Sequence, residues 1–163
     1  MVKKNRGHPP MSLLVELIGQ AYNRRSWHGT NLRGALRGLA LKEALWRPSP
    51  GRHNIWEIMV HCAYWKYVVR RRLLNEKRGS FPLKGSNWFR RDGILTVKNW
   101  KADLRLLDEC HRSLLEAIRT VRANDLAHAP ANSTVSNAMI ISGIASHDLY
   151  HAGQIQLLKR LMK

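Results

Sequence analysis

Residues 140–158 read Ile140-Ile141-Ser142-Gly143-Ile144-Ala145-Ser146-His147-Asp148-Leu149-Tyr150-His151-Ala152-Gly153-Gln154-Ile155-Gln156-Leu157-Leu158. Ile140, Gly143, Ile144, His147, His151, Gln154 and Leu158 share one face at helical spacing, and nothing alternates with the period of a strand. The run predicts a helix to about Leu161, with Ser133 or Thr134 available to cap its start. Two histidines one turn apart within that inward stripe bear on both fold and chemistry.

The same period extends upstream. Trp100, Leu104, Leu107, His111, Leu114, Ile118 and Val121 form a bundle seam on a helix from about Val97 to Val121. Before it, Asn54 followed by Glu57 reads as a capping box opening a helix from Ile55 to about Glu76, which Gly79 and Pro82 stop. A first helix from about Ser12 carries Leu14, Leu17, Ile18 and Ala21 on one side. Trp27-His28-Gly29 breaks the pattern, and a short piece from Asn31 to Leu39 follows, with Leu32, Ala35, Leu36 and Leu39 on one side. Arg47-Pro48-Ser49-Pro50-Gly51 is a loop, because two prolines and a glycine cannot continue a helix. Gly79 to Gly93 is a long irregular segment whose Phe81, Trp88 and Phe89 call for packing, and Asn124 to Asn132 is a second connection. The expected fold is all-α, a four-helix bundle with long connections: one domain over residues 11–163 behind a flexible basic tail, Met1 to Pro10.

A chain of 163 residues with 44% hydrophobic and 24% charged residues has the balance of a globular domain. No apolar run approaches the roughly 18–20 residues of a membrane-spanning helix, and no apolar stretch follows the basic N-terminus as in a signal peptide. Cys62 and Cys110 are too few for a disulfide framework and suit a reducing cytoplasm. The net charge of +17 is densest at Lys66 and Arg70-Arg71-Arg72, then Lys77-Arg78, Lys84 and Arg90-Arg91. It is compatible with a nucleic-acid partner or with a solvated surface, and no nucleic-acid motif accompanies it, so that partner is not favoured.

His147 and His151 lie four residues apart, so their imidazoles project from one helix face and can converge on one ion. A buried ring needs a polar partner, which a metal supplies directly; otherwise each ring donates to a carbonyl or faces water. The first histidine has no adjacent glutamate, which excludes the H-E-x-x-H metalloprotease pattern. His61, mid-helix, is the best facing ligand. Three neutral imidazoles leave a position for water or substrate, as in catalytic sites. His111 is either a fourth ligand or a seam residue, and Cys62, about 100° around the helix from His61, reads as a small core residue. Asp148 is turned away from the histidine face, either exposed or bonded to a neighbouring helix. Glu57 and Gln154 can orient imidazoles or can serve the helix cap and the bundle surface, and Tyr64 and Tyr150 can line a pocket mouth or the core.

Trp46-Arg47-Pro48 leading to Gly51, His53-Asn54-Ile55-Trp56-Glu57 with His61 in the same helix, and His147-Asp148-Leu149-Tyr150-His151-Ala152-Gly153-Gln154-Ile155 together resemble the DinB/YfiT-like metal-binding proteins over nearly the whole chain. The resemblance implies a four-helix bundle with non-sequential helix order. It implies that His61, His147 and His151 bind a divalent metal, commonly zinc or nickel. It also implies a homodimer and, in some members, thiol-dependent transfer or isomerisation with low-molecular-weight thiols. The break at Trp27-His28-Gly29 and the long segment from Gly79 to Gly93 depart from the family pattern; both would shape the pocket, and the latter would cover the metal.

The leading expectation is therefore a metal-dependent thiol S-transferase acting on a small electrophile. The alternatives are a non-enzymatic metal-binding or dimeric interaction protein and, less favoured, a nucleic-acid-associated one.

Overall fold

The computed structural model describes residues 10–77, 79–92, 95–131 and 133–163. The expected tail, apart from Pro10, lies outside the described residues, as do Gly93 and Asn132 at the ends of the two expected connections. Among the described residues six α-helices follow in order: α1 (Met11–Tyr22), α2 (Leu32–Ala35), α3 (Leu41–Leu45), α4 (Ile55–Leu73), α5 (Val97–Thr120) and α6 (Asn137–Leu161), with a 3₁₀ turn at Ala123–Asp125 before α6. There is no strand among the described residues, so the all-α class holds. Four helices are long. The expected short piece after Asn31 condenses to α2, while α3 was not anticipated.

The ends of these helices follow from local chemistry. Asn54 accepts a hydrogen bond from the Glu57 N–H at 2.8 Å, and the Glu57 carboxylate returns to the Asn54 N–H, so α4 starts as expected. It stops at Leu73 rather than near Glu76, because Asn75 adopts the left-handed conformation at φ 52°. The Asn75 N–H then donates to Arg72 and the Glu76 N–H to Arg71, a Schellman ending. The cap of α6 is Ser136, not Ser133 or Thr134. Ser133 Oγ is instead engaged with the backbone of Val135 in a local turn.

The closest helix pairs are α4 with α5, α1 with α6, and α4 with α6: the chain neighbours α4 and α5 pair most extensively, while α1 packs on the last helix, α6. Tyr22 ties α1 to α5 by donating to Asp108 at 2.5 Å. Two apolar clusters fill the interior. One joins Leu14 and Ile18 to Leu73, Leu114, Ile118 and Ile141; the other joins Trp56, Met59, Trp100, Leu107 and Ile155. Between them, at mid-bundle, lies a polar layer of Lys66 from α4, His111 from α5 and Asp148 from α6, all buried.

The structure takes up one alternative the sequence left open, Asp148 bonded to a neighbouring helix, and corrects three expectations, those for Gly143, Lys66 and Leu17. Asp148 sits at the centre of the buried face of α6, between Ile144, Ala145, Ala152 and Ile155, bonded to Lys66 on α4. Gly143 lies outside the buried face and is exposed. Lys66 is fully buried, so it does not belong to the surface charge. On α1, Leu17 is 41% exposed and not inward.

Candidate metal centre

Helix α4 presents His61, and α6 presents His147 and His151 one turn apart. Their Nε2 atoms converge: His61 to His147 is 3.1 Å and His151 to His147 is 3.2 Å. The outward nitrogens determine what those inner atoms are. His61 Nδ1 lies 2.8 Å from the backbone carbonyl of Asn87, which can only accept, so Nδ1 carries the proton. His151 Nδ1 lies 2.7 Å from Gln154 Oε1, an acceptor in the assigned amide orientation. In both neutral rings Nε2 is therefore a lone pair aimed at His147.

His147 can donate one Nε2–H to only one of them, and its own Nδ1 is buried without a partner among the described residues. A cation among the three nitrogens resolves the frustration. Metal–nitrogen bonds of about 2.0–2.1 Å at tetrahedral angles separate ligand atoms by about 3.3 Å, close to the observed spacings. The donor set fits a divalent ion.

Electrostatics keep the three rings neutral. Burial pushes the His61 imidazole down to about 4 and the His147 imidazole to about 3, each helped by the other rings, and burial also lowers His151. All three are unprotonated near pH 7, the form that binds metal.

The segment between α4 and α5 does cover the site. Asn87, at φ 62°, accepts from His61 with its carbonyl and from Trp65 Nε1 with its side chain at 2.9 Å. Trp88 is sandwiched between His61 at 3.9 Å and His53 at 3.7 Å, with nearly parallel rings. Sequence reasoning missed Asn87, Trp88 and His53 as parts of the site. The only signal was the excess of aromatic residues in an irregular segment.

The other candidates fall into place. Glu57 does not bond His61. Arg47 grips its carboxylate with two nitrogens at 2.5 and 2.7 Å, the Arg91 N–H donates at 2.8 Å, and His53 Nδ1 lies at 3.2 Å. Burial pushes this carboxyl up, but Arg47, the Arg91 N–H and His53 together hold it at about 2. It shapes the site only through His53 and Trp88. Gln154 is the candidate whose side chain bonds one of the three rings, His151. Tyr150 is 65% exposed and meets His151 edge-on at 5.1 Å. Tyr64 packs against Phe81 and Phe89 beneath the covering segment, not at a pocket mouth.

His111 is stacked on Tyr22 at 3.6 Å and is no fourth ligand. Cys62 and Asp148 also approach His147; burial pushes the Cys62 thiol up, and Lys66 bonds one oxygen of Asp148. A cleft of about 450 Å³ opens beside His151, walled by Ile58, Trp88, Tyr150, Gln154 and Leu157 with Arg52 at its edge. Larger clefts exist elsewhere, but none touches the three histidines.

The sequence profile of the DinB superfamily matches residues 24–155. The chain belongs to the DinB superfamily. The matched span contains all three histidines, Asn87 and Trp88, and begins after α1. No curated protein and no solved structure gave a match. In this DinB-superfamily chain the His61, His147 and His151 group can hold a metal ion.

Proposed function

We propose that this DinB-superfamily protein holds zinc or nickel on His61, His147 and His151 and transfers a low-molecular-weight thiol to a small electrophile. The observation that carries the metal reading is the convergence of three Nε2 atoms, two of them fixed as lone pairs by Asn87 and Gln154. When bound, a divalent ion supplies the positive charge that lowers the pKa of a thiol. Gln154 and the Asn87 carbonyl hold the His151 and His61 rings in register. Ile58, Trp88 and Leu157 give the cleft an apolar wall for the electrophile, and Arg52 offers a cation to a thiol bearing carboxylates.

Two further elements belong to this reading. Met139, Tyr150, Leu157 and Leu161 are large, exposed and all on α6, which supports a homodimer through that helix. Free Cys62 and Cys110 support residence in a reducing cytoplasm, and no helix among the described residues is long and apolar enough to cross a membrane.

A closed, non-catalytic metal site is the second reading, favoured by the burial of His61 and His151 to 6% and 3% exposure. Metal analysis of untagged protein tests the common part: a stoichiometric ion is expected, and its absence from wild type or its retention in His147→Ala sinks both readings. Single-turnover conjugation of a model electrophile with a thiol panel separates them. A metal-dependent rate supports transfer; a loaded protein inert with every thiol leaves the closed site.

A further inference from the structure

The cleft farthest in character from the histidine centre lies between α1 and α5. It has a volume of about 630 Å³ and is lined by Arg24, Arg105, Arg112 and Arg119, with the stacked Tyr22 and His111 rings behind them. Asp108 in the same cleft is already engaged by Tyr22 and Arg33, which leaves Glu109 as its other acid. Arg105, Arg112 and Arg119 are exposed and form no ion pair among the described residues.

Their spacing identifies the kind of ligand. Lys98 continues the series, so α5 carries Lys98, Arg105, Arg112 and Arg119 at intervals of seven residues. Seven residues are just under two helical turns, so the four cations share one face and stand about 10 Å apart along the axis. One small anion cannot span such a row, whereas a chain of phosphates can. The net charge of +17 would draw such a polyanion from a distance.

A second feature follows the cleft's Arg24 in sequence. Trp27 is 94% exposed, in the segment that follows α1. That segment is tied into a turn by Asn31 Nδ2 donating to the Arg24 carbonyl at 2.8 Å and Ser26 Oγ donating to the Gly29 carbonyl at 2.9 Å. A large indole is thus held in solvent three residues from an arginine of the cleft. Aromatic platforms beside a cationic track are how single strands are bound without sequence preference.

We propose that the α1/α5 face binds single-stranded nucleic acid, with Lys98, Arg105, Arg112 and Arg119 on phosphates spaced along the strand and Trp27 stacked on a base. None of these residues belongs to the histidine centre, so the two sites stand or fall separately.

Fluorescence anisotropy with an end-labelled, mixed-sequence single-stranded DNA of about 16 nucleotides tests it. Four phosphate contacts predict that raising salt from about 50 to about 200 mM weakens binding about 50-fold. The triple variant Arg105→Glu/Arg112→Glu/Arg119→Glu retains at most one contact and a salt effect of only about threefold. A control of equal charge change, Arg72→Glu/Lys77→Glu/Lys84→Glu, keeps the wild-type salt dependence. Trp27→Ala weakens binding about tenfold, and its exposed position keeps the fold intact. No binding, an equal flattening in the control, an unchanged affinity in Trp27→Ala, or a duplex bound as tightly as the single strand overturns the proposal.

Discussion

Lys66 on α4 and Asp148 on α6 form an ion pair in which both side chains are sealed from solvent, in the layer that divides the apolar interior in two. Burial pushes the Asp148 carboxyl up while Lys66 opposes that shift, and Asp148 Oδ1 has no partner among the described residues. Removing one member leaves the other charge stranded, which costs about 3–5 kcal/mol, whereas apolar replacement of both is often neutral. Urea denaturation is therefore expected to find Asp148→Ala strongly destabilised and Lys66→Met/Asp148→Leu near wild type. A double variant as unstable as the single one contradicts this account.

Metal removal is the second prediction. An ion held only by the folded protein raises Tm, and chelation reverses the gain. Thermal scans of His147→Ala, with and without chelator, are expected to coincide, while those of the wild type separate. Coincident wild-type scans count against the site.

Gln154 separates orientation from ligation. Gln154→Ala frees the His151 ring to rotate and change tautomer, and loss of such an outer contact weakens metal binding about 10- to 100-fold. Gln154→Glu keeps an acceptor at the same reach and is expected to retain affinity. Competition titration with a metal indicator reads both, and equal affinities in wild type and Gln154→Ala reject the role.

Acid stability should report Glu57. Its folded pKa, about 2, lies below the ordinary 4.5, so the carboxylate's contribution is complete above about pH 4.5 and is lost as pH falls toward 2. Glu57→Gln gives up the charge-assisted bonds from Arg47, about 1.5–3 kcal/mol, and with them this part of the acid sensitivity. Denaturation midpoints measured from pH 2 to 6 check the slope; a variant with an unaltered slope shows that other carboxylates govern it.

Much of this molecule is legible from local pattern. The helical period places the four long helices, the Asn54 and Glu57 pair starts α4 at the right residue, and the four-residue step brings His147 and His151 together. Other features depend on tertiary contact. Lys66 stands near a run of arginines and looks solvated until Asp148 is seen opposite it. Ser133, Thr134 and Ser136 are equivalent caps by composition, and contacts outside α6 decide among them: its first N–H groups donate to the carbonyls of His128 and Leu126. No periodicity governs residues 79–92, so nothing local brings Asn87 and Trp88 to His61.

Asn87 grips His61 with its carbonyl and Trp65 with its side chain, so one residue fastens the covering segment to a single turn of α4. Pro82, Lys84, Gly85 and Ser86 before it are exposed. Changes of length or chemistry on that approach can therefore remodel what reaches the cleft without disturbing the proton that sets the His61 tautomer. On the proposed metal reading, the clasp separates what reaches the cleft from what holds the ion.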